Sequence, residues 1–108
     1  MTPEGRIRKH LRTRAIDAGF EHRKLRWIGR RGAPDELLWW PEAIPKGLVV
    51  ALVEVKAPGV EVDWASPQGR EIVRLMRAGW RVYVVNSVPE ADLVIEDLTK
   101  LVSDRQLV

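Results

Sequence analysis

Three residues carry the most chemical promise in this sequence: Asp35, Glu54 and Lys56. Asp35 opens one stretch of strand character, and nineteen positions later Glu54 and Lys56 close the next, with a single residue between them. Side chains two apart in a strand leave the same side. The acid and the lysine therefore project together, where Pro58-Gly59 breaks the strand into a loop. Consecutive strands of a meander run antiparallel, so the start of one lies beside the end of the next and Asp35 can reach Glu54. Two carboxylates, helped by the main-chain carbonyl of Val55, form an all-oxygen site that suits Mg²⁺, an ion that keeps several waters and takes few protein ligands. One or two ions fit such a site. The chemistry on offer is hydrolysis at a phosphate: the ion polarises the phosphoryl group and acidifies a water, and Lys56 orients that water and stabilises transition-state charge.

The elements that must position these residues are legible in outline. Thr2 can cap a helix with Pro3 at its first position, running through Ile7, Leu11 and Ala15 to Gly19. Glu4 lies at the amino end of that apolar stripe and points inward. Residues 20–28 read as a strand, 35–40 as a second and 48–55 as a third. The third is valine-rich and apolar on both faces, which places it centrally. Pro41 to Gly47 must be a connection. Ser66-Pro67 opens a helix carrying Ile72, Leu75 and Met76 until Gly79, residues 81–86 form another strand, and Ser87 to Glu90 has the spacing of a capping box that starts a last helix towards Leu101. The predicted order is αβββαβα. The strand–helix–strand crossover from 49 to 86 makes its two strands parallel, so the fold class is α/β with a mixed central sheet flanked by helices.

Composition narrows the partners. At 108 residues the chain makes one domain, and 45% hydrophobic with 31% charged residues is ordinary globular usage, which excludes wholesale disorder. The absence of cysteine removes disulfides, zinc–thiolate sites and thiol nucleophiles, and fits a reducing cytoplasm. No signal core is evident, and the apolar run 48–53 is too short to cross a bilayer, so no membrane is expected. The net charge of +3 hides an asymmetry: residues 1–31 hold ten Lys and Arg against three acids, leaving the remainder net acidic. A cationic front suits a polyanion such as nucleic acid. Arg6, Lys9, Arg12, Arg14, Arg23, Lys24, Arg30 and Arg31 are the expected phosphate contacts, positioning the substrate without reading its sequence.

Taken together, Gly32-Ala33-Pro34-Asp35, Val53-Glu54-Val55-Lys56 and Gln68 at a helix start resemble the PD-(D/E)XK nuclease superfamily. Glu4, Glu-Val-Lys-Ala-Pro-Gly at 54–59, Ser66-Pro67-Gln68 and Gly79-Trp80-Arg81-Val82 resemble, more narrowly, the VRR-Nuc family of virus-type replication and repair nucleases in its stand-alone phage and bacterial form. The resemblance covers residues 4 to about 87. It implies a restriction-endonuclease-like fold, Mg²⁺ or Mn²⁺ dependence, and cleavage of structured DNA by a homodimer similar to Holliday junction resolvases in a bacterial host cell. On that pattern Asp35 and Glu54 are metal ligands, Lys56 is the catalytic lysine, Gln68 supports the site and Glu4 supplies a helix-borne acid. The sequence departs from it in the long connection from Trp39 to Leu48.

Other readings stand beside this one. A flap, end-processing or non-specific nuclease of the same superfamily shares all these motifs, and a DNA-binding protein without turnover shares the charge distribution. A lone Glu-x-Lys at a strand end is usually a surface ion pair, acids are favoured in any helix's first turn, and Gln68 could be an ordinary early-helix residue. His10 and His22 lack partners at useful spacing and read as solvated or phosphate-contacting. Trp27, Trp39 and Trp80 read as packing residues, whereas Trp40 and Trp64 read as contacts to DNA or to a second subunit.

Overall fold

A computed structural model describes residues 1–29 and 32–107. Seven elements follow in the order α1 (Pro3–Asp17), β1 (Glu21–Lys24), β2 (Glu36–Trp39), β3 (Val50–Val55), α2 (Pro67–Arg77), β4 (Val82–Val85) and α3 (Val88–Gln106). This is the predicted αβββαβα order. Each helix starts as its sequence dictates: Thr2, Ser66 and Ser87 accept hydrogen bonds from Gly5, Gly69 and Glu90 main-chain N–H groups, and a proline follows in the first turn.

The strands lie in the order β1-β2-β3-β4. The first three form an antiparallel meander, and β4 joins β3 in parallel through the α2 crossover. The two faces of this sheet have different covers. On one face Leu38, Ala51, Val53, Val55 and Val85 pack with Ile7, Leu11 and Ala15 of α1 and Val94, Ile95 and Leu98 of α3. On the other, Leu52 and Val82 pack with Ile72 of α2, and Leu25, Trp27 and Leu37 close that smaller cluster. With β3 buried on both faces, its run of valines is the sequence pattern of a central strand.

Several boundaries differ from the sequence expectation. β1 stops at Lys24 rather than extending to Ile28, although the Leu25 N–H still donates to the Asp35 carbonyl at 2.7 Å. The last helix continues past Leu101 to Gln106, where the Arg105 side chain donates to the Leu48 carbonyl at 2.5 Å and ties the helix end to the connection before β3. The tryptophans are also redistributed. Trp40 is half-buried and packs against the larger cluster, edge-to-face with Phe20 at 5.3 Å between ring centroids. Trp80 is 41% exposed, so it is not the packing residue its neighbours suggested, and Trp64 is 53% exposed. Among the described residues no helix is long and apolar enough to cross a membrane.

Candidate active site

The β2–β3 ladder sets the geometry. Glu36 faces Val53 and Leu37 faces Leu52, and one further step of the same register puts Asp35 opposite Glu54. Directly opposed residues hold their Cβ atoms about 5 Å apart on one face of the sheet. That face belongs to Leu37, Leu52 and α2. Lys56 is the next residue on it, just past the end of β3, where its N–H donates to the Val85 carbonyl at 2.8 Å and keeps the chain in register with β4. From the first turn of α2, Gln68 Nε2 donates to Glu54 Oε1 at 3.0 Å.

Two glycines let the parts come this close. Gly32 has φ +74°, and a Cβ there would stand 2.5 Å from Gln68 Cα. A Cβ on Gly69 would stand 2.5 Å from both the Asp63 carbonyl oxygen and Trp64 Cα. A larger residue at Gly32 would push Gln68 away from the segment that leads to Asp35, and one at Gly69 would push the Asp63–Trp64 segment away from the start of α2.

Electrostatically Glu54 is the strained member of the pair. Burial, and then the neighbouring Asp35 carboxylate, push Glu54 up to about 7, against the opposing influence of Lys56, Arg8 and the Gln68 hydrogen bond. A divalent cation would relieve this repulsion. Among the described residues no three His, Cys, Asp or Glu side chains converge on one point, so a cation at this edge would have to be held by the carboxylate pair together with main-chain or water oxygens. That set fits Mg²⁺ or Mn²⁺ better than it fits zinc, which takes three or four nitrogen, sulfur or carboxylate ligands.

A second charged group lies behind the first, and the sequence reading missed it. Glu36, 0% exposed, points from β2 into the face covered by α1. Arg12 grips it with two bonds, Nη2 to Oε1 at 2.6 Å and Nε to Oε2 at 3.2 Å. His22 Nε2 bonds Oε2, and Arg8 Nη1 donates to Oε1 at 2.6 Å. Burial pushes the Glu36 carboxyl upward, but the hydrogen bonds from Arg12, His22 and Arg8 outweigh it and hold the group below the ordinary carboxylate range. Arg8 also donates to Asp35 Oδ1 at 2.8 Å and lies 3.6 Å from Glu4. Although burial disfavours its charge, the bonds to Glu36 and Asp35 raise its pKa above the usual arginine value and keep it cationic. Glu4, Arg8 and Arg12 recur every four residues along one flank of α1. That spacing, beside the stripe 7, 11 and 15, was the available signal for a buried polar seam.

The expected site residues are thus connected to different degrees. Asp35, Glu54, Val55, Lys56 and Gln68 meet at the β2–β3–α2 edge, while Glu4 joins them only through Arg8. Of the expected phosphate contacts, Arg12 is committed to Glu36, Arg14 lies 3.0 Å from Asp92 of α3, and Arg23 pairs with Glu21 and covers the Trp39 ring at 4.9 Å. Arg6, Lys9 and Lys24 are exposed, and Lys24 Nζ lies 3.9 Å from Asp35 Oδ2. Arg30 and Arg31 fall outside the described residues. His10 contacts Asp92 at 2.7 Å, so both histidines serve carboxylates rather than solvent.

The VRR-NUC domain family matches residues 6–89, a span that holds Asp35, Glu54, Lys56 and Gln68. The chain belongs to the VRR-NUC domain family. A solved structure described as a VRR_NUC domain superposes with a TM-score of 0.75 at 37% identity, covering 89% of this chain and 97% of the other. A protein of Acyrthosiphon pisum secondary endosymbiont phage 1, named "Putative nuclease p44", is 39% identical over 85 residues, which is 78% of this chain and 83% of the phage protein. The VRR-NUC domain is a nuclease domain, and the mixed four-stranded sheet flanked by helices is its fold.

Proposed function

We propose that this VRR-NUC domain, spanning residues 1–108, is a metal-dependent endodeoxyribonuclease whose reaction centre is the Asp35–Glu54–Lys56 edge. The observation that carries the reading is the pair of opposed carboxylates, Asp35 and Glu54, with a lysine beside them on the same face of the sheet. Asp35, Glu54 and the Val55 carbonyl would hold Mg²⁺ or Mn²⁺. When bound, the ion supplies Lewis-acid activation of the phosphate and lowers the pKa of a coordinated water. Lys56 orients the attacking water and neutralises charge that builds on the phosphoryl oxygens. Gln68 fixes the Glu54 carboxylate, and Arg8, seated on buried Glu36, fixes Asp35. Glu4 acts on this edge through Arg8. Arg6, Lys9 and Lys24, with Arg30 and Arg31, contact phosphates.

The substrate we propose is branched DNA, in the first place a four-way junction cut by a homodimer acting on opposing strands. What supports a DNA substrate is the family match, the likeness to the phage nuclease and the exposed cations Arg6, Lys9 and Lys24. Four-way junction, flap, nicked and linear DNA offered with Mg²⁺ test it together. Symmetrical cuts on the junction, abolished by EDTA and by Lys56→Ala, are the expected result. Cutting of linear DNA at an equal rate would defeat the junction preference, and cutting that survives Lys56→Ala would defeat the site.

A further inference from the structure

We propose that the hollow on the β1 side of Asp35 is the subsite for the nucleotide that flanks the scissile phosphate, an inference that rests on reading the Asp35–Glu54–Lys56 edge as the place of cleavage. The hollow encloses about 440 Å³ and is lined by Lys24, Leu25, Arg26 and Trp27, the turn at Gly32-Ala33, and Asp35 itself. Its walls differ in chemistry. Leu25 and Trp27 are half-buried against the cluster under α2, whereas Lys24 and Arg26 are exposed cations.

The apolar wall is also fixed in place. Trp27 Nε1 donates to the Pro34 carbonyl at 2.6 Å, and the Leu25 N–H donates to the Asp35 carbonyl at 2.7 Å. Both bonds end on main-chain carbonyls of the segment that carries Asp35, so the indole is tied to that segment. An immobilised aromatic wall with two cations at the rim is the combination that binds a nucleotide, through its base or sugar on the wall and its phosphate on the cations. Position agrees with chemistry. Neighbouring strands lie about 5 Å apart, so a hollow at the end of β1 begins one strand from Asp35 and two from Glu54, within reach of the next nucleotide along a strand whose phosphate lies at those acids. The acidic residue in the wall works against a free anion deep in the hollow and favours a ligand whose phosphate stays at the Lys24–Arg26 rim.

The test is a titration of ¹⁵N-labelled full-length protein, in EDTA, with a thymidine dinucleotide that carries one phosphodiester. The Trp27 indole N–H and the amides of 24–27 and 32–35 are expected to shift together and to saturate. Substituting Lys24→Ala with Arg26→Ala, both at exposed side chains, should raise the Kd about tenfold while amide positions in α3 stay fixed. Absence of shifts at these residues, or an unchanged Kd in the double variant, would overturn the subsite. Cleavage assays report separately on the underlying reading: shifts without any cutting would strike the nuclease assignment at this edge, and cutting without these shifts would strike the subsite alone.

Discussion

Asp35 and Glu36 are adjacent carboxylates treated in opposite ways by the same strand. Glu36 is sealed under α1 with two arginines and a histidine around it, and its charged form is favoured. Asp35, 30% exposed, faces Glu54 across the ladder, and there the charged form of Glu54 is penalised. The lesson is that alternation in a strand lets two neighbouring acids take different tasks. One is saturated with partners and holds the fold. The other, though paired with Arg8, still repels Glu54, and a cation between them would relieve that repulsion.

The sharpest way to break this contrast is to neutralise one acid on each face. Glu54→Gln keeps the Gln68 contact but removes a donor and the repulsion. It should lower Mg²⁺-supported cleavage about a thousandfold and raise the melting temperature of the metal-free protein at pH 8. Glu36→Gln should do the reverse in stability, costing about 3 kcal/mol in urea unfolding because partly buried Arg8 and Arg12 lose their buried anion. Equal destabilisation by both substitutions would erase the distinction between the faces.

The two acids should also bend the stability curve in opposite directions. Glu36 is lowered from its ordinary 4.5 on folding, so its contribution is complete above that pH and disappears as pH falls through the folded value. Glu54 rises from 4.5 to about 7, so the folded chain keeps a proton that the unfolded chain has released, and stability declines as pH climbs through that interval. Metal-free protein should therefore be most stable near pH 4.5 to 5 as far as these two groups decide it. The decline towards pH 7 should flatten in Glu54→Gln or on adding Mg²⁺, and thermal melts across pH 3 to 8 would check both limbs. The smallest effect is expected from Arg14→Ala, whose partly exposed pair with Asp92 touches neither group. It should change stability by less than about 1 kcal/mol, and a larger loss would mean that α1 is held chiefly by that outer pair.

How much of this was legible in the sequence depended on distance along the chain. Helix starts, the valine-rich central strand and the Glu54–Lys56 alignment are local patterns, and all appear as expected. The encounter of Asp35 with Glu54 needed only the meander, a short-range inference. The Glu36 cluster needed the docking angle of α1 on the sheet, because Arg8 meets its acids across 27 and 28 residues. No spacing rule supplies that angle. For the same reason Arg12 and Arg14 resembled free cations until their partners in β2 and α3 were in place. Trp40 is more covered and Trp80 more exposed than expected, because the sequence does not say which side of a strand end a connection will cover.

The double grip of Arg8 makes the first helix a working part of the site and not merely a charged arm. Strand pairing and the docking of α2 bring Asp35, Glu54, Lys56 and Gln68 near one another and hold the Asp35 main chain, and α1 adds the guanidinium that bonds the Asp35 carboxylate. On the proposed function, cutting would depend on the docking of α1, and a fragment beginning after residue 20 would carry Asp35, Glu54, Lys56 and Gln68 while lacking the Arg8 bond to Asp35.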